Sequence, residues 1–343
     1  MAKKAIVLFN LGGPDKPAAV EPFLFNLFND PAIIRLPNPL RWLVAKLISR
    51  RRAPVATEIY SYIGGASPIL KETKAQAAAL QASLDETGEE EYKVFISMRY
   101  WHPFSDETAA EVKEWAPDEV ILLPLYPQFS STTTASSFAD WRSAAKKSGL
   151  TAPTASLCCY PMESGFISAY ASLISAKLQD VADQPVRLLF SAHGLPQKIV
   201  DQGDPYQWQV EQTATRVTAK LDMPDLDWKV CYQSRVGPMK WLEPSTEDEI
   251  HRAGDENISL VVVPIAFVSE HSETLVELDI EYAKLAAEKG VVSYHRVNTV
   301  GVHADFIAGL AATILKMGSG TVSSETGGRL CPTHFKECLM LAS

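Results

Sequence analysis

Val186-Arg187-Leu188-Leu189-Phe190-Ser191-Ala192-His193-Gly194-Leu195-Pro196 opens on a short, largely apolar run and closes on a histidine, a glycine and a proline. A run of that length, bounded by turn residues, suits a strand buried on both faces, as in a parallel sheet. The same design occurs near the start of the chain, where Ile6–Phe9 precedes Gly13-Pro14. Two further echoes follow in the same order. Lys93-Val94 followed by Arg99 returns 136 positions later as Lys229-Val230 followed by Arg235, and Val120–Leu123 with Pro124 returns 140 later as Leu260–Val263 with Pro264. Three matches in one order favour a duplicated α/β unit over a single larger sheet.

Working outward, eight apolar runs read as strands: Ala5–Phe9, Val94–Met98, Val120–Leu123, Ser156–Cys159, Val186–Phe190, Val230–Gln233, Leu260–Val263 and Val291–Tyr294. Amphipathic stretches such as Ala75–Leu84, Ala109–Glu114, Gln207–Leu221 and Glu273–Lys289 fall between them. This alternation predicts α/β architecture with right-handed crossovers, four parallel strands in each half. The first half is longer by about 40 residues, and the surplus falls between Phe25 and Pro68.

That insertion is unusual in its chemistry. Residues 31–57 carry Arg35, Arg41, Lys46, Arg50, Arg51 and Arg52 and no acid before Glu58, whereas the whole chain has a net charge of −9. Leu40, Leu43, Val44, Leu47 and Ile48 follow helical spacing, with Pro39 to start a helix and Pro54 to stop it. A basic, Trp-bearing amphipathic segment reads either as a lip on a membrane surface or as a helix packed on its own domain with a solvated basic face.

The acidic balance argues against general nucleic-acid binding. No apolar run reaches the roughly 18 residues of a spanning helix. The first eleven residues run into Gly12-Gly13-Pro14, which reads as strand and turn, not as a secretory signal. Five cysteines, two of them adjacent, predict a reducing cytoplasm and no disulfide framework.

In open α/β sheets ligands sit beyond the C-terminal strand ends. His193 occupies such a place and reads as a base, a neutral metal ligand or a satisfied structural histidine. After Leu260–Val263, Glu270, Glu273, Glu277 and Glu281 are spaced to line one helix face. Stacked carboxylates raise one another's proton affinity or call for a cation. The plainer alternatives are a solvated acidic first turn and a capping box of Thr274 with Glu277. Imidazole with carboxylate suits Fe, Zn, Co or Mn. The chain has no H-E-x-x-H, C-x-x-C, P-loop or nucleophile-elbow pattern. The hydroxyl-rich loop Tyr126–Thr134, the Arg99-Tyr100 pair and the rings of Trp241 and Phe267 add groups suited to anionic oxygens and a flat apolar ligand.

With these residues in view, the chain resembles the ferrochelatase family over nearly its whole length. The carrying motifs are Asn10-Leu11-Gly12-Gly13-Pro14, Tyr62-Ile63-Gly64-Gly65-Ala66-Ser67-Pro68, Leu125-Tyr126-Pro127-Gln128-Phe129-Ser130, Ser191–Pro196, Val236-Gly237-Pro238-Met239 and Phe267–Tyr282. The resemblance implies two similar Rossmann-like domains with a porphyrin cleft between them. It implies an enzyme, a lyase, that inserts Fe²⁺ into protoporphyrin IX at the end of haem synthesis. His193 and Glu273 match the family's opposed cleft histidine and metal-side carboxylate, and Glu277 the next acid along. Leu11, Ser67, Arg99, Tyr100, Ser130, Trp241 and Phe267 match substrate-binding positions. The implied layout is residues 1–150 with about 305–343 as the first domain, bearing the lip at 27–67 and the tail, and 151–304 as the second. A non-catalytic tetrapyrrole or haem carrier, and a chelatase for another tetrapyrrole or metal, are the competing readings.

Some microbial members of the family hold a [2Fe-2S] cluster on one mid-chain and three tail cysteines. Cys158, Cys331 and Cys338 match three of these, Met340 stands at the fourth place, and Ser131 holds the animal-type mid-chain position. Cys159 neighbours Cys158, but adjacent strand residues point to opposite faces. Gly318–Gly328 reads as a flexible linker to the tail. The implied partners are protoporphyrin IX, Fe²⁺ and the inner face of a membrane, with no nucleic acid; the sequence leaves the oligomeric state open.

Overall fold

The computed structural model describes residues 2–88, 90–181, 184–235 and 237–340. Val236 of the Val236–Met239 motif and tail positions 341–343 lie outside them. The strands are β1 (Lys3–Asn10), β2 (Glu91–Met98), β3 (Glu119–Pro124), β4 (Thr154–Leu157), β5 (Val186–His193), β6 (Asp227–Gln233), β7 (Ser259–Pro264), β8 (Tyr294–Arg296) and β9 (Val322–Ser323). They form two parallel sheets, ordered β2-β1-β3-β4-β9 and β6-β5-β7-β8. Without β9 the two orders are the same, so the sequence repeat is a repeat of topology.

Burial explains why these segments are strands. β3 and β7 are buried along their whole length, as uninterrupted apolar runs require. The outer strands β2 and β6 alternate exposed and buried positions before sinking into the core at their C-terminal ends. Two predicted runs are displaced. Val291 and Val292 turn the chain after a helix, Val291 packing on the second unit's core and Val292 exposed, so β8 begins only at Tyr294. Cys158 and Cys159 lie just past the end of β4.

The first sheet has five strands where four were expected. Gly318–Gly328 is not a plain linker: Val322 and Ser323 pair with Ser156 and Leu157 as β9. The pairing supplies partners to main-chain groups on the outer edge of β4.

Two compact units result. One is the chain through Cys159 with Ala311–Arg329; the other is Tyr160–Leu310 with the described tail from Leu330. The tail therefore goes with the second unit and not with the first. Cys331, Phe335 and Cys338 bury together with Trp208, and Glu337 N–H donates to the Gly203 carbonyl. Residues 305–310 belong there too, because Phe306 packs on Tyr160 and Phe166.

The insertion folds as a 22-residue helix, Leu40–Ser61, with Pro54 inside it and not at its end. Pro54 lacks an N–H for the Arg50 carbonyl. The helix continues because Ala53, Ala56 and Tyr60, on both sides of the proline, pack against Val20, Phe23 and Leu24. Ala45 and Ser49 are its other buried positions, whereas Leu40, Trp42, Leu43 and Leu47 face outward, Leu47 being 70% exposed. Much of the basic charge is tied down: Arg41 donates to the Asn29 and Leu36 carbonyls, and Lys46 and Arg50 reach Glu21. Among the described residues no helix is long and apolar enough to cross a membrane.

Two leucines separate these environments. Leu189→Ala empties part of the second core and is expected to cost about 2–5 kcal/mol in denaturant unfolding. Leu43→Ala on the outward face should stay within about 0.5 kcal/mol of the parent.

Candidate active site

In the second unit β5 lies between β6 and β7, so three C-terminal strand ends meet. β5 ends on His193, and β6 ends on Gln233 with Ser234 just beyond. Gly194 N–H donates to the Gln233 carbonyl at 2.8 Å. A Cβ on Gly194 would stand 2.9 Å from that oxygen, so the two strand ends meet only because this residue is glycine. The loop after β7 is fastened by the Tyr170 hydroxyl, 2.7 Å from both the Pro264 and Phe267 carbonyls. It leads into Glu273–Tyr282, a π-helix of ten residues. Such helices are rare and concentrate at functional sites.

Glu273 stands between two imidazoles. His193 Nε2 is 3.7 Å from its Oε1, and His271 Nε2 is 3.7 Å from its Oε2. The opposite nitrogen of each ring faces a carbonyl: His193 Nδ1 lies 2.7 Å from the Gly194 oxygen, and His271 Nδ1 3.1 Å from the Ser269 oxygen. A carbonyl only accepts, so each Nδ1 carries a proton and each neutral ring presents an Nε2 lone pair to the carboxylate. The rings flank the carboxylate, one at each oxygen, so that when both are neutral no donor from either ring faces it. A proton on Nε2 or a metal cation relieves the repulsion. Burial pushes the Glu273 carboxyl up; once Nε2 of the rings carries a proton, the charge of His193 and the hydrogen bond and charge of His271 outweigh this and bring it down to about 2.

Glu277 is held differently. It accepts from Ser234 N–H at 2.8 Å, from the Ser234 hydroxyl, from Gln233 Nε2 at 3.0 Å and from the Tyr282 hydroxyl at 3.1 Å. Ser234 adopts φ +61 to aim both its donors at this carboxylate, a strained conformation for a residue with a side chain. Gln233 Oε1 is fixed in turn by the Ser191 hydroxyl at 2.8 Å. Burial first, then the Glu273 charge, raise the Glu277 carboxyl above the usual range, against the pull of its donors. Two acids one turn apart are thus driven in opposite directions, the arrangement that assigns acid and base roles. Glu277 also lines a cavity of about 370 Å³ with Ser234, Arg235, Trp241 and Tyr282.

The predicted four-acid stripe is reduced to these two. Glu270 precedes the helix and pairs with Arg296, and Glu281 is exposed. Thr274 makes no capping box with Glu277; it exchanges hydrogen bonds with the His271 backbone. Trp241 packs over Gly194 and bridges to Pro196, and the Phe267 ring lies 4.6 Å from that of His271. His271, Gln233 and Ser234 are site residues that the sequence pattern does not predict. The available signal was a histidine two positions before Glu273 and polar residues at a strand end.

In the first unit Arg99 donates to Ser136 and Asp30 and lies 3.6 Å from Asp140. Tyr100 is fully buried with its hydroxyl on Asp30. Ser67 N–H donates to the Pro14 carbonyl, Leu11 packs beside Tyr100, and Ser130 is buried against Thr132. These residues shape a rigid corner more than they offer open donors.

The cysteines come in pairs. Cys158 and Cys159 have their Sγ atoms 3.0 Å apart, because the chain has left the strand there and alternation no longer separates them. Cys331 and Cys338 share the tail's apolar cluster, with Cys331 accepting from Gln209. Cys231 lies in the sheet core, where burial pushes its thiol up to about 12. Each pair offers two of the four thiolates that a [2Fe-2S] cluster takes. Among the described residues no group of three or more His, Cys, Asp or Glu side chains is arranged to hold a metal ion.

Two tandem parallel sheets with chemistry at their strand ends define a chelatase-type fold. SirB from Bacillus subtilis, solved with Fe³⁺, shares it at TM-score 0.52 and 11% identity, covering 92% of this chain and 95% of its own. DR2241 from Deinococcus radiodurans, which has structural similarity to chelatases, shares it at TM-score 0.51 and 15% identity, over 97% of this chain and 58% of that one. The sequence model of the ferrochelatase family matches residues 3–317, and the ferrochelatase of Rickettsia bellii is 52% identical over 99% of this chain and 95% of its own length. The chain belongs to the ferrochelatase family.

The low Glu273 value fixes the sign of an acid effect. A carboxyl depressed on folding adds stability above its ordinary value, about 4.3, and that stability is lost as pH falls toward about 2. Urea unfolding between those limits should show the parent losing more stability on acidification than Glu273→Gln. Parallel losses would mean that the carboxylate is not held low.

Proposed function

We propose that this protein inserts Fe²⁺ into protoporphyrin IX, forming protohaem and releasing two protons. The observation that carries the reading is the Glu273 carboxylate flanked by the Nε2 atoms of two imidazoles whose Nδ1 atoms face carbonyls. Such a group takes up either a proton or a borderline divalent cation such as Fe²⁺, and metallation of a porphyrin exchanges one for the other. A planar macrocycle hides its nitrogen lone pairs in the ring plane, so the protein must remove pyrrole protons while the metal sheds water.

Roles follow from the geometry. His193 is the more exposed imidazole, and its Nε2 accepts a pyrrole proton. Glu273, held low, stays anionic and stabilises the entering iron. Glu277, held high, is the better proton acceptor and takes protons onward toward the polar cavity beside it. In the second unit Trp241 and Phe267 offer ring faces to the macrocycle; in the first, Leu11, Ser67, Ser130, Arg99 and Tyr100 are the family's substrate-binding positions, Arg99 and Tyr100 in a corner braced by Asp30. No part of the reaction is assigned to an iron–sulfur group.

The outward leucines and Trp42 of the Leu40–Ser61 helix support a second element of the reading: attachment to the inner face of a membrane, where an apolar porphyrin would be exchanged.

His193→Ala is expected to keep porphyrin binding, followed by fluorescence, and to abolish haem formation, followed anaerobically by the Soret band. Insertion at the parent rate would refute the assignment. Glu273→Gln should slow insertion with ring affinity unchanged. For the lip, sedimentation with anionic vesicles should carry the parent down and leave Leu43→Ser/Leu47→Ser in the supernatant; equal partitioning of the two proteins argues against it.

A further inference from the structure

The π-helix needs an explanation of its own. An i→i+5 ladder is intrinsically less favoured than the i→i+4 ladder and rarely persists beyond one turn. Here it runs for ten residues, with Glu273 and Glu277 both on it. Something outside the helix must hold that register.

Arg296, the last residue of β8, makes contacts on both sides of the reacting acids. Its Nε and Nη2 bond the two oxygens of Asp279 at 2.6 Å each, a bidentate pair. Its Nη1 bonds Glu270 at 2.7 Å. Glu270 lies three positions before Glu273, and Asp279 two positions after Glu277. Glu270 is anchored again by Thr299 N–H at 2.9 Å. From the other end of β8, the Tyr294 hydroxyl donates to the Leu278 carbonyl, inside the π-helical segment, at 2.8 Å. The Arg296 side chain is 8% exposed, so its charge has little water to fall back on. Buried ion pairs contribute little net stability, and their best-attested use is to fix a register.

If Glu273–Tyr282 relaxed to an α-helix, each residue would advance further around the axis. Glu277 would rotate relative to Glu273 and leave the donors of Ser234 and Gln233. We infer that β8, through Arg296 and Tyr294, is the clamp that keeps this segment in π register. Arg296 is thus a positioning residue for iron insertion although it touches no reacting group. This rests on the reading of Glu273 and Glu277 given above.

The test compares Arg296→Met, Arg296→Lys and Tyr294→Phe in the full chain, measuring amide hydrogen exchange over 273–282 beside kcat and KM. Arg296→Met is expected to speed exchange in that segment and to lower kcat on the order of 10²-fold, the loss typical of a small misplacement. The KM for protoporphyrin should move less than about twofold, since only alignment is lost. Arg296→Lys should recover part of kcat. If Arg296→Met fails to fold, Tyr294→Phe, which removes one hydroxyl, should show the same pattern to a smaller degree. Unchanged exchange over 273–282 would overturn the clamp. Faster exchange with parental kcat would leave the clamp standing and overturn the roles given to Glu273 and Glu277.

Discussion

When His193 and His271 are neutral, Glu273 meets only their lone pairs, and that arrangement is not at rest. Glu273 is in that position because the Gly194 and Ser269 carbonyls claim the Nδ1 protons of His193 and His271. Backbone oxygens, fixed by a strand end and a loop, thereby decide the chemistry of side chains several ångströms away. The mismatch is relieved by a proton or by a cation, and the function proposed above uses both. The nearby Glu277 instead accepts from Gln233, Ser234 and Tyr282, and burial beside the Glu273 charge raises its proton affinity.

The scaffold supplies this contrast through the common rule of parallel sheets, that loops after the strands gather at one edge. Duplication provided two such edges, and the two were put to different uses. In the second unit the edge carries titratable groups that face one another. In the first, Asp30 gathers Arg99, Tyr100 and Ser136 into one buried network, which is a device for shape and not for proton transfer. The long insertion sits in the first unit as well, with Leu40, Trp42, Leu43 and Leu47 left outside the core.

Much of this was readable in the residues. Period and order of apolar runs predicted both sheets, because buried parallel strands leave an unmistakable composition. His193, Glu273 and Glu277 stood out because they follow strands. Less legible was anything set by main-chain geometry. Helical spacing implied four aligned acids, but the Glu273–Tyr282 segment winds as a π-helix, and Glu270 is spent on Arg296. Pro54 looked like a stop, yet packing on both sides carried the helix through it. β9 was invisible because a two-residue strand in a Gly/Ser-rich stretch owes its existence to the open edge of β4 and not to its own propensity. His271 is the instructive omission: it is buried, and only its ring orientation gives it a role.

The central claim concerns where two protons sit, and nitrogen-15 NMR of histidine-labelled protein measures that directly. The account predicts that the neutral rings of His193 and His271 are protonated at Nδ1, and that Zn²⁺, standing in for iron, perturbs the Nε2 signals of the pair. Neutral rings protonated at Nε2, or Nε2 signals indifferent to the metal, would contradict it.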